Sequence, residues 1–343
     1  MSKLSKVIIS LLGTCIFAGL TGSAGAQAIQ LKLADRFPPD HYIAKYAIEY
    51  WIEQVKQRTG GTVAVRRFGG ESLGKSKDMI SLIQAGVTEI GEAVPGYVGD
   101  QLELSTVTEL PSVTSTACQA AYAYQDLANP DGFLGKRELA PKGLRLLFTV
   151  GLPAYHLFLS KKVDNLEGLK GFKIRATGAP AEAMLRQLGM VPVRMGFADL
   201  YESWSRGTVD GTPTLTASIF AYDMQSFAKY ILAEGTFGSA VSAFLISIKT
   251  WNALPANVQQ VMMEVSKETT KRACEMIDND DKESLKKLQD QGSAILSLSP
   301  QDEIKLKELA DPVKQEWTKA LNGKNKPGTE TLKLYQEAAT KYR

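Results

Sequence analysis

Histidine and cysteine are scarce in this chain: two and three respectively among 343 residues. His41 and His156 lie far apart, and no two cysteines stand at metal-ligand spacing, which argues against a zinc centre. Charge of one sign is also lacking. Basic residues outnumber acidic ones by only three, and they are scattered rather than interleaved with aromatics. Such a balance gives no electrostatic footing for nucleic acid or for an anionic membrane surface. Long apolar runs are missing too, except at 7–20, so no later segment has the uninterrupted apolar length that spans a bilayer. The chain must therefore fold around ordinary cores, and its length suits two domains.

The run at 7–20 follows Lys3 and Lys6 and leads into small residues up to Ala28. A basic start, a short apolar stretch and small residues together predict a secretion signal over 1–28, cleaved near Ala26 or Ala28. The run is too short for a comfortable membrane span. Removing Lys3 and Lys6 leaves a formal charge of +1, since no acid lies in that stretch. Cys15 lies inside the run with no small-residue lipobox before it, so no lipid anchor is expected. The mature chain is expected to be soluble and periplasmic. It keeps Cys118 and Cys274, which an oxidising compartment would allow to pair. They are far apart in sequence and are read as two buried small apolar residues, with pairing left open.

Hydrophobic periodicity alternates between strand and helix. Residues 29–34 and 62–68 read as strands, separated by a helix over 42–58 that Gly60 and Gly61 stop. A helix over 76–85 and a short strand over 89–93 follow. Further strands are expected over 143–150, 157–160, 172–175 and 244–248. Pro180 suits the first turn of a helix that Gly189 closes, Asp199 the first turn of the next, and Pro255 opens a long helix reaching Gln291. Helices over 300–321 and 329–342 end the chain. Strands alternating with helices predict an α/β fold.

Two catalytic-looking motifs overlap at residues 69–76. Gly69-Gly-Glu-Ser-Leu-Gly74-Lys75-Ser76 satisfies the phosphate-binding pattern G-x-x-x-x-G-K-S between a strand and a helix. An exported chain meets little nucleotide, and no apolar strand ends on an aspartate suited to magnesium, so the pattern is set aside. Gly70-Glu-Ser72-Leu-Gly74 also satisfies the nucleophile-elbow pattern, with His156 downstream, which keeps a serine hydrolase using Ser72 as a rival. A strand-to-helix turn of small residues explains both.

The strand predicted over 172–175 ends on Arg175, just before the Pro180 helix. A guanidinium offers a fork of donors matched to a carboxylate, and a helix N-terminus adds favourable potential for an anion. From the residues alone, a surface arginine or a structural ion pair stays open. The surrounding sequence reads Leu169-Lys-Gly-Phe-Lys-Ile-Arg175, then Gly189-Met-Val-Pro-Val-Arg-Met-Gly-Phe197, then Tyr201 and Gly207-Thr-Val-Asp210-Gly211. Lys229-Tyr230, Trp251-Asn-Ala-Leu-Pro255, Leu73-Gly74, Gln84-Ala-Gly86 and Glu109-Leu-Pro111 stand in order around it. These anchors cover most of the mature chain. Together they resemble the DctP-like solute-binding proteins of TRAP (tripartite ATP-independent periplasmic) transporters.

The resemblance implies a periplasmic-binding-protein (type II-like) fold, two α/β lobes around a ligand cleft with a long connecting helix. The first lobe is expected over 29–149 with about 238–290 returning to it, the second over 150–237 with about 291–343 packing on it. The resemblance implies that Arg175 binds a substrate carboxylate and that Phe197 packs on the ligand. Thr214 stands where the family often has an asparagine. Tyr155 stands at or near the place of a second arginine that many dicarboxylate and sialic-acid binders carry. Losing that charge favours a monocarboxylate with an apolar or aromatic body, such as an aromatic or keto acid. Tyr97, Phe37 and Tyr155 would form its apolar wall, though each also suits ordinary core packing. A dicarboxylate stays open if Arg36, Arg66 or Arg194 reaches the cleft. The implied partners are the small and large integral subunits of a permease, with no cofactor, no metal and no chemistry by the chain itself. A sensor kinase in place of the permease, and pairing of two copies through the C-terminal helices, are left open.

Overall fold

The computed structural model describes residues 29–233 and 237–343; the segment read as a secretion signal lies outside them. The strands form two sheets. The first takes β1 (Ile29–Ala34), β2 (Val63–Phe68), β3 (Ile90–Ala93) and β4 (Leu144–Leu152). The second takes β5 (His156–Leu159), β6 (Lys173–Ala176), β7 (Val191–Arg194), β8 (Gly211–Thr214) and β9 (Tyr230–Leu232). β10 (Ala240–Ser247) then returns to the first sheet and β11 (Ala294–Ile295) to the second. The orders are β2-β1-β3-β10-β4 and β11-β9-β5-β8-β6-β7. β1, β2 and β3 run parallel, with Ile29 opposite Val63, and β10 lies antiparallel between β3 and β4.

The chain thus crosses between sheets three times: after β4, before β10, and again through a long helix before β11. The first two crossings run side by side: Ala240 pairs with Leu152, and the Tyr155 N–H donates to the Gly238 carbonyl at 2.8 Å. Paired crossing segments of this kind let two lobes swing about a narrow waist. In the first lobe Phe148 stacks on Phe244 with centroids 4.1 Å apart, and Trp51, fully buried, donates through Nε1 to Ser266 Oγ at 3.0 Å. In the second, Phe158, Trp204, Ile219, Met224 and Ile231 share one buried cluster. Each such side chain contributes about 2–3 kcal/mol by leaving water.

The helix Ala256–Asp290 has 35 residues and is therefore about 50 Å long. Val258, Met262, Val265, Thr269, Ala273 and Ile277 fall on its buried side at helical spacing. It lies along β4 and along the helices Glu49–Arg58 and Ala117–Ala128, then reaches Thr216–Ala221 of the second lobe.

Two expectations need correction. Cys118 and Cys274 are joined in a disulfide, with Cα atoms 4.7 Å apart across 156 residues of chain, rather than lying as separate buried thiols. The cause is a cap. Asp278, one turn beyond Cys274 on the long helix, accepts from the N–H groups of Ala117 (2.6 Å) and Cys118 (3.1 Å), and so seats the start of the Ala117–Ala128 helix beside Cys274. The C-terminal region also does not pack wholly on the second lobe. The helix Gly328–Lys341 buries Tyr335, Ala338 and Ala339 and lies against Ala117–Ala128 of the first lobe. Gln119 donates to the Ala339 carbonyl at 2.8 Å, fixing that contact.

Candidate functional site

Arg175 lies on β6, between β7 and β8, and is only 3% exposed. The Val-Asp-Gly turn before β8 holds that strand in place. The Asp210 side chain accepts from the Lys173 N–H at 3.0 Å and from Lys161 Nζ at 2.8 Å, and its backbone N–H donates to the Lys173 carbonyl. Arg175 Nε donates to the Met195 carbonyl at 3.3 Å and Nη2 to the Tyr97 hydroxyl. Its guanidinium carbon lies 4.9 Å from the Phe197 ring centroid. Among the described residues no carboxylate stands within ion-pair distance of it.

Arg175 faces a narrow, nearly closed cavity between the lobes. Phe37, Tyr97, Tyr155, Phe197 and Thr214 all line the same cavity, so the structure gathers all six residues singled out from the sequence. It adds Arg36, His41, Tyr42, Thr177, Ser218 and Tyr222. Phe37, His41, Tyr222 and Phe197 form a chain of ring contacts across the cleft, with successive centroids 4.5, 5.4 and 4.6 Å apart. Of the three arginines that bore on a second charge, only Arg36 lines this cavity. Arg66 sits 4.8 Å from the Phe68 ring, and Arg194 donates to Glu182 at 2.6 Å on the outer rim.

Arg36 owes its position to Asp35, which is fully buried and accepts from the Phe37 N–H at 2.8 Å and from Arg67 at 2.7 and 3.0 Å. The Arg36 side chain is 10% exposed, and Nη2 lies 3.7 Å from Glu92 Oε1, an ion pair too long for a hydrogen bond. Burial works against the Arg36 charge, but Glu92 and the surrounding tyrosine hydroxyls outweigh it, so the guanidinium holds its proton more tightly than usual. Burial, with Arg36 and Arg67 nearby, pushes the His41 imidazole well below its ordinary value. The neutral ring accepts from the Ile43 N–H through Nδ1 at 3.1 Å.

Three hydrogen bonds tie the lobes together around the cavity. One is Arg175 to Tyr97; the second joins the Tyr42 and Ser218 hydroxyls at 3.1 Å; in the third, Thr177 Oγ1 donates to Glu109 Oε2 at 2.9 Å. Glu109 is 3% exposed and its Oε1 has no hydrogen-bond partner. Burial pushes its carboxyl up to about 7, against the opposing pull of Thr177 and Arg175. The backbones also meet: a Cβ on Gly178 would stand 2.7 Å from the Gly96 carbonyl oxygen, so only glycine allows this approach. Nothing in the local sequence marked Glu92, Thr177 or Tyr222, and Glu109 stood out only within the Glu109-Leu-Pro111 anchor; their places around the cavity arise from contacts remote in sequence.

The 69–76 loop folds around its own anion. The Glu71 carboxylate accepts from the Ser76 N–H (2.9 Å), Ser76 Oγ (2.6 Å) and Lys75 Nζ (3.0 Å), the groups that would otherwise hold a phosphate. Ser72 is exposed in that turn. Neither histidine serves it: His41 faces the cavity, and His156 Nε2 lies 3.4 Å from Asp281.

The sequence profile of the bacterial extracellular solute-binding protein family 7, DctP, matches residues 33–320. The C4-dicarboxylate-binding periplasmic protein DctP of Rhodobacter capsulatus is 23% identical over 343 residues, covering 97% of this chain and 98% of that protein. In structure the chain is similar to a TRAP solute-binding protein from an unidentified marine microbe, specific for aromatic acid ligands and in complex with metahydroxyphenylacetate. The TM-score is 0.84 at 20% identity, covering 92% of this chain and 99% of that one. It is also similar to a TRAP solute-binding protein of Rhodoferax ferrireducens with copurified benzoate, at TM-score 0.82 and 19% identity, covering 92% and 98%. The two-lobed architecture, its paired crossings and the profile match over most of the chain agree: the chain belongs to the DctP family of solute-binding proteins that serve TRAP transporters.

Proposed function

We propose that this protein captures an organic monocarboxylate with an aromatic or apolar body between its lobes and delivers it to the small and large subunits of a TRAP permease. Export would use the segment 1–28, cleaved near Ala26 or Ala28. One observation carries the reading: Arg175 is buried, is matched by no carboxylate of the described chain, and faces a cavity walled by aromatic rings. A buried guanidinium of this kind is best satisfied by a carboxylate that accepts two of its N–H groups. Phe197, Tyr97, Tyr155 and Phe37 then cover the ligand body, and Thr214 supplies a hydroxyl near the carboxylate. The relatives named above that hold aromatic acids support the same class.

A dicarboxylate reading draws on Arg36, which lines the same cavity. Glu92 already stands 3.7 Å from that guanidinium, so a second ligand carboxylate would meet a compensated charge.

The test is isothermal titration with benzoate, phenylacetate, phenylpyruvate, succinate and fumarate, on wild type and Arg175→Ala. An aromatic or keto monocarboxylate is expected to bind best. Removing one member of a buried ion pair costs about 3–5 kcal/mol, so the substitution should weaken binding at least a hundredfold. Tight binding of a monocarboxylate that survives Arg175→Ala would remove Arg175 from the mechanism, and preference for a dicarboxylate would overturn the proposed class.

A further inference from the structure

We infer that the end of the cavity formed by Arg36 and Tyr222 is a second polar subsite, built for a neutral hydroxyl on the ligand's ring and not for a second carboxylate. The inference rests on the reading of Arg175 as the carboxylate anchor.

Both residues line the cavity. Arg36 Nε is buried and has no hydrogen-bond partner, and neither has the Tyr222 hydroxyl. Neighbouring polar groups are already engaged: the Tyr42 and Ser218 hydroxyls bond each other, and His41 Nδ1 is taken by the Ile43 N–H. This end of the pocket therefore keeps an open cationic donor and an open hydroxyl; both Glu92 oxygens beside Arg36 also lack a hydrogen-bond partner, but Glu92 does not line the cavity. Buried polar groups are almost always paired, so an open pair facing a ligand cavity marks a place the ligand fills.

The charge at this end decides what fills it. The Glu92 carboxylate, 1% exposed, faces Arg36 from β3 at 3.7 Å. A ligand carboxylate placed here would be drawn to Arg36 and repelled by Glu92 across a poorly screened interior. A hydroxyl avoids that conflict. It accepts from the guanidinium and exchanges a hydrogen bond with the Tyr222 hydroxyl, which can donate or accept.

The two arginines are close enough to share one small ligand. The Arg36 and Arg175 guanidinium carbons lie 5.6 and 5.7 Å from the same Tyr97 ring centroid, so they are at most about 11 Å apart. Phe197 and Phe37 stand beside the two arginines, with guanidinium carbons 4.9 and 4.1 Å from their centroids, and Tyr222 packs on Phe197.

The experiment measures affinities for benzoate, meta-hydroxybenzoate, para-hydroxybenzoate and isophthalate by titration calorimetry, on wild type, Tyr222→Phe and Arg175→Ala. In wild type one hydroxy acid should bind roughly tenfold tighter than benzoate, the share of one well-made hydrogen bond. Tyr222→Phe keeps the ring and removes only the hydroxyl. It should lower the ratio of hydroxybenzoate to benzoate affinity severalfold, leaving only the share that Arg36 donates. Equal wild-type affinities for benzoate and both hydroxy acids would overturn the inference, as would a hydroxyl preference that Tyr222→Phe leaves undiminished. Isophthalate binding tightest would show that Arg36 acts as a charge and overturn it too. If benzoate binding persists in Arg175→Ala, the anchor reading fails first and the subsite with it.

Discussion

Replacing Glu109 by glutamine should change how stability responds to pH, and by an amount the structure sets. The carboxyl is 3% exposed, one oxygen has no partner, and burial raises it from 4.5 to about 7. Each unit is worth about 1.4 kcal/mol, so the shift corresponds to about 3 kcal/mol. The sign follows from proton binding. The folded state holds this proton more tightly than the unfolded chain, so folding is favoured below about pH 4.5. That advantage is lost as pH rises towards 7, and above about 8 nothing more is lost. Glutamine keeps the shape and an oxygen to accept from Thr177 but cannot ionise. The variant should therefore match wild type near pH 4.5 and gain about 3 kcal/mol by pH 8, roughly 5 °C in melting temperature for a chain of this size. The assay is thermal unfolding of both proteins between pH 4.5 and 8.5, read as a difference curve. Glu92, Glu138 and Asp278 are also pushed up by burial, but they are common to both proteins and cancel in that difference. Parallel curves for the two proteins would refute the reasoning and make Glu109 a surface-like carboxylate.

Three further outcomes follow from the same geometry. A ligand carboxylate on Arg175 weakens that residue's pull on Glu109 and should raise its proton affinity further, so binding near pH 7 should take up a fraction of a proton and weaken from pH 6 to pH 8. Titrations in buffers of different ionisation enthalpy would read the uptake directly, and Glu109→Gln should abolish it. Replacing both Cys118 and Cys274 by serine opens a loop of 156 residues and should cost about 3–5 kcal/mol in denaturant unfolding, an effect that reductant should reproduce in wild type and not in the variant. Gly178→Val puts side-chain atoms where the Gly96 carbonyl lies 2.7 Å from a Cβ position, so it should hold the lobes apart. Ligand affinity is expected to fall at least tenfold while the melting temperature without ligand moves little, and small-angle scattering with ligand should report the more open form.

The features legible in sequence were those set by neighbours along the chain. Arg175 could be placed because Lys173-Ile174-Arg175 reads as a buried strand, and the helix after it begins at Ala179 next to Pro180. The long helix was visible from its periodicity, and it ends at Asp290, one residue before the expected Gln291. β8 was not legible, because Pro213 within Gly211–Thr214 reads as a breaker. It is tolerated because β6 pairs with β8 only at Gly211, which leaves Pro213 no ladder hydrogen bond to donate on that side. The disulfide escaped because its geometry depends on Asp278 capping a helix that starts 161 residues earlier. Arg36 was noted only as one of three arginines, since its place depends on Asp35 and on a lobe contact that no local pattern encodes. The look-alike phosphate loop could be set aside on its context, but the sequence pattern alone does not reveal that Glu71 already occupies the anion's place.

On the proposed reading, the charges around the cavity favour one ligand carboxylate over two. Arg36 and Glu92 both belong to the first lobe and face each other whatever the second lobe does. That pair makes little difference between open and closed forms. Arg175 and Thr177 sit on the second lobe, and Tyr97 and Glu109 on the first, so their contacts exist only when the lobes meet. Closure buries a guanidinium with only neutral acceptors, the Met195 carbonyl and the Tyr97 hydroxyl, at hydrogen-bond distance. That is costly without an anion and favourable with one. On the proposed reading, a single ligand carboxylate would supply the missing charge at the contact that closure makes, and so would couple occupancy to lobe closure. A second carboxylate would be placed against the pair that closure does not alter. It would add its own desolvation cost without adding to the driving force for closing.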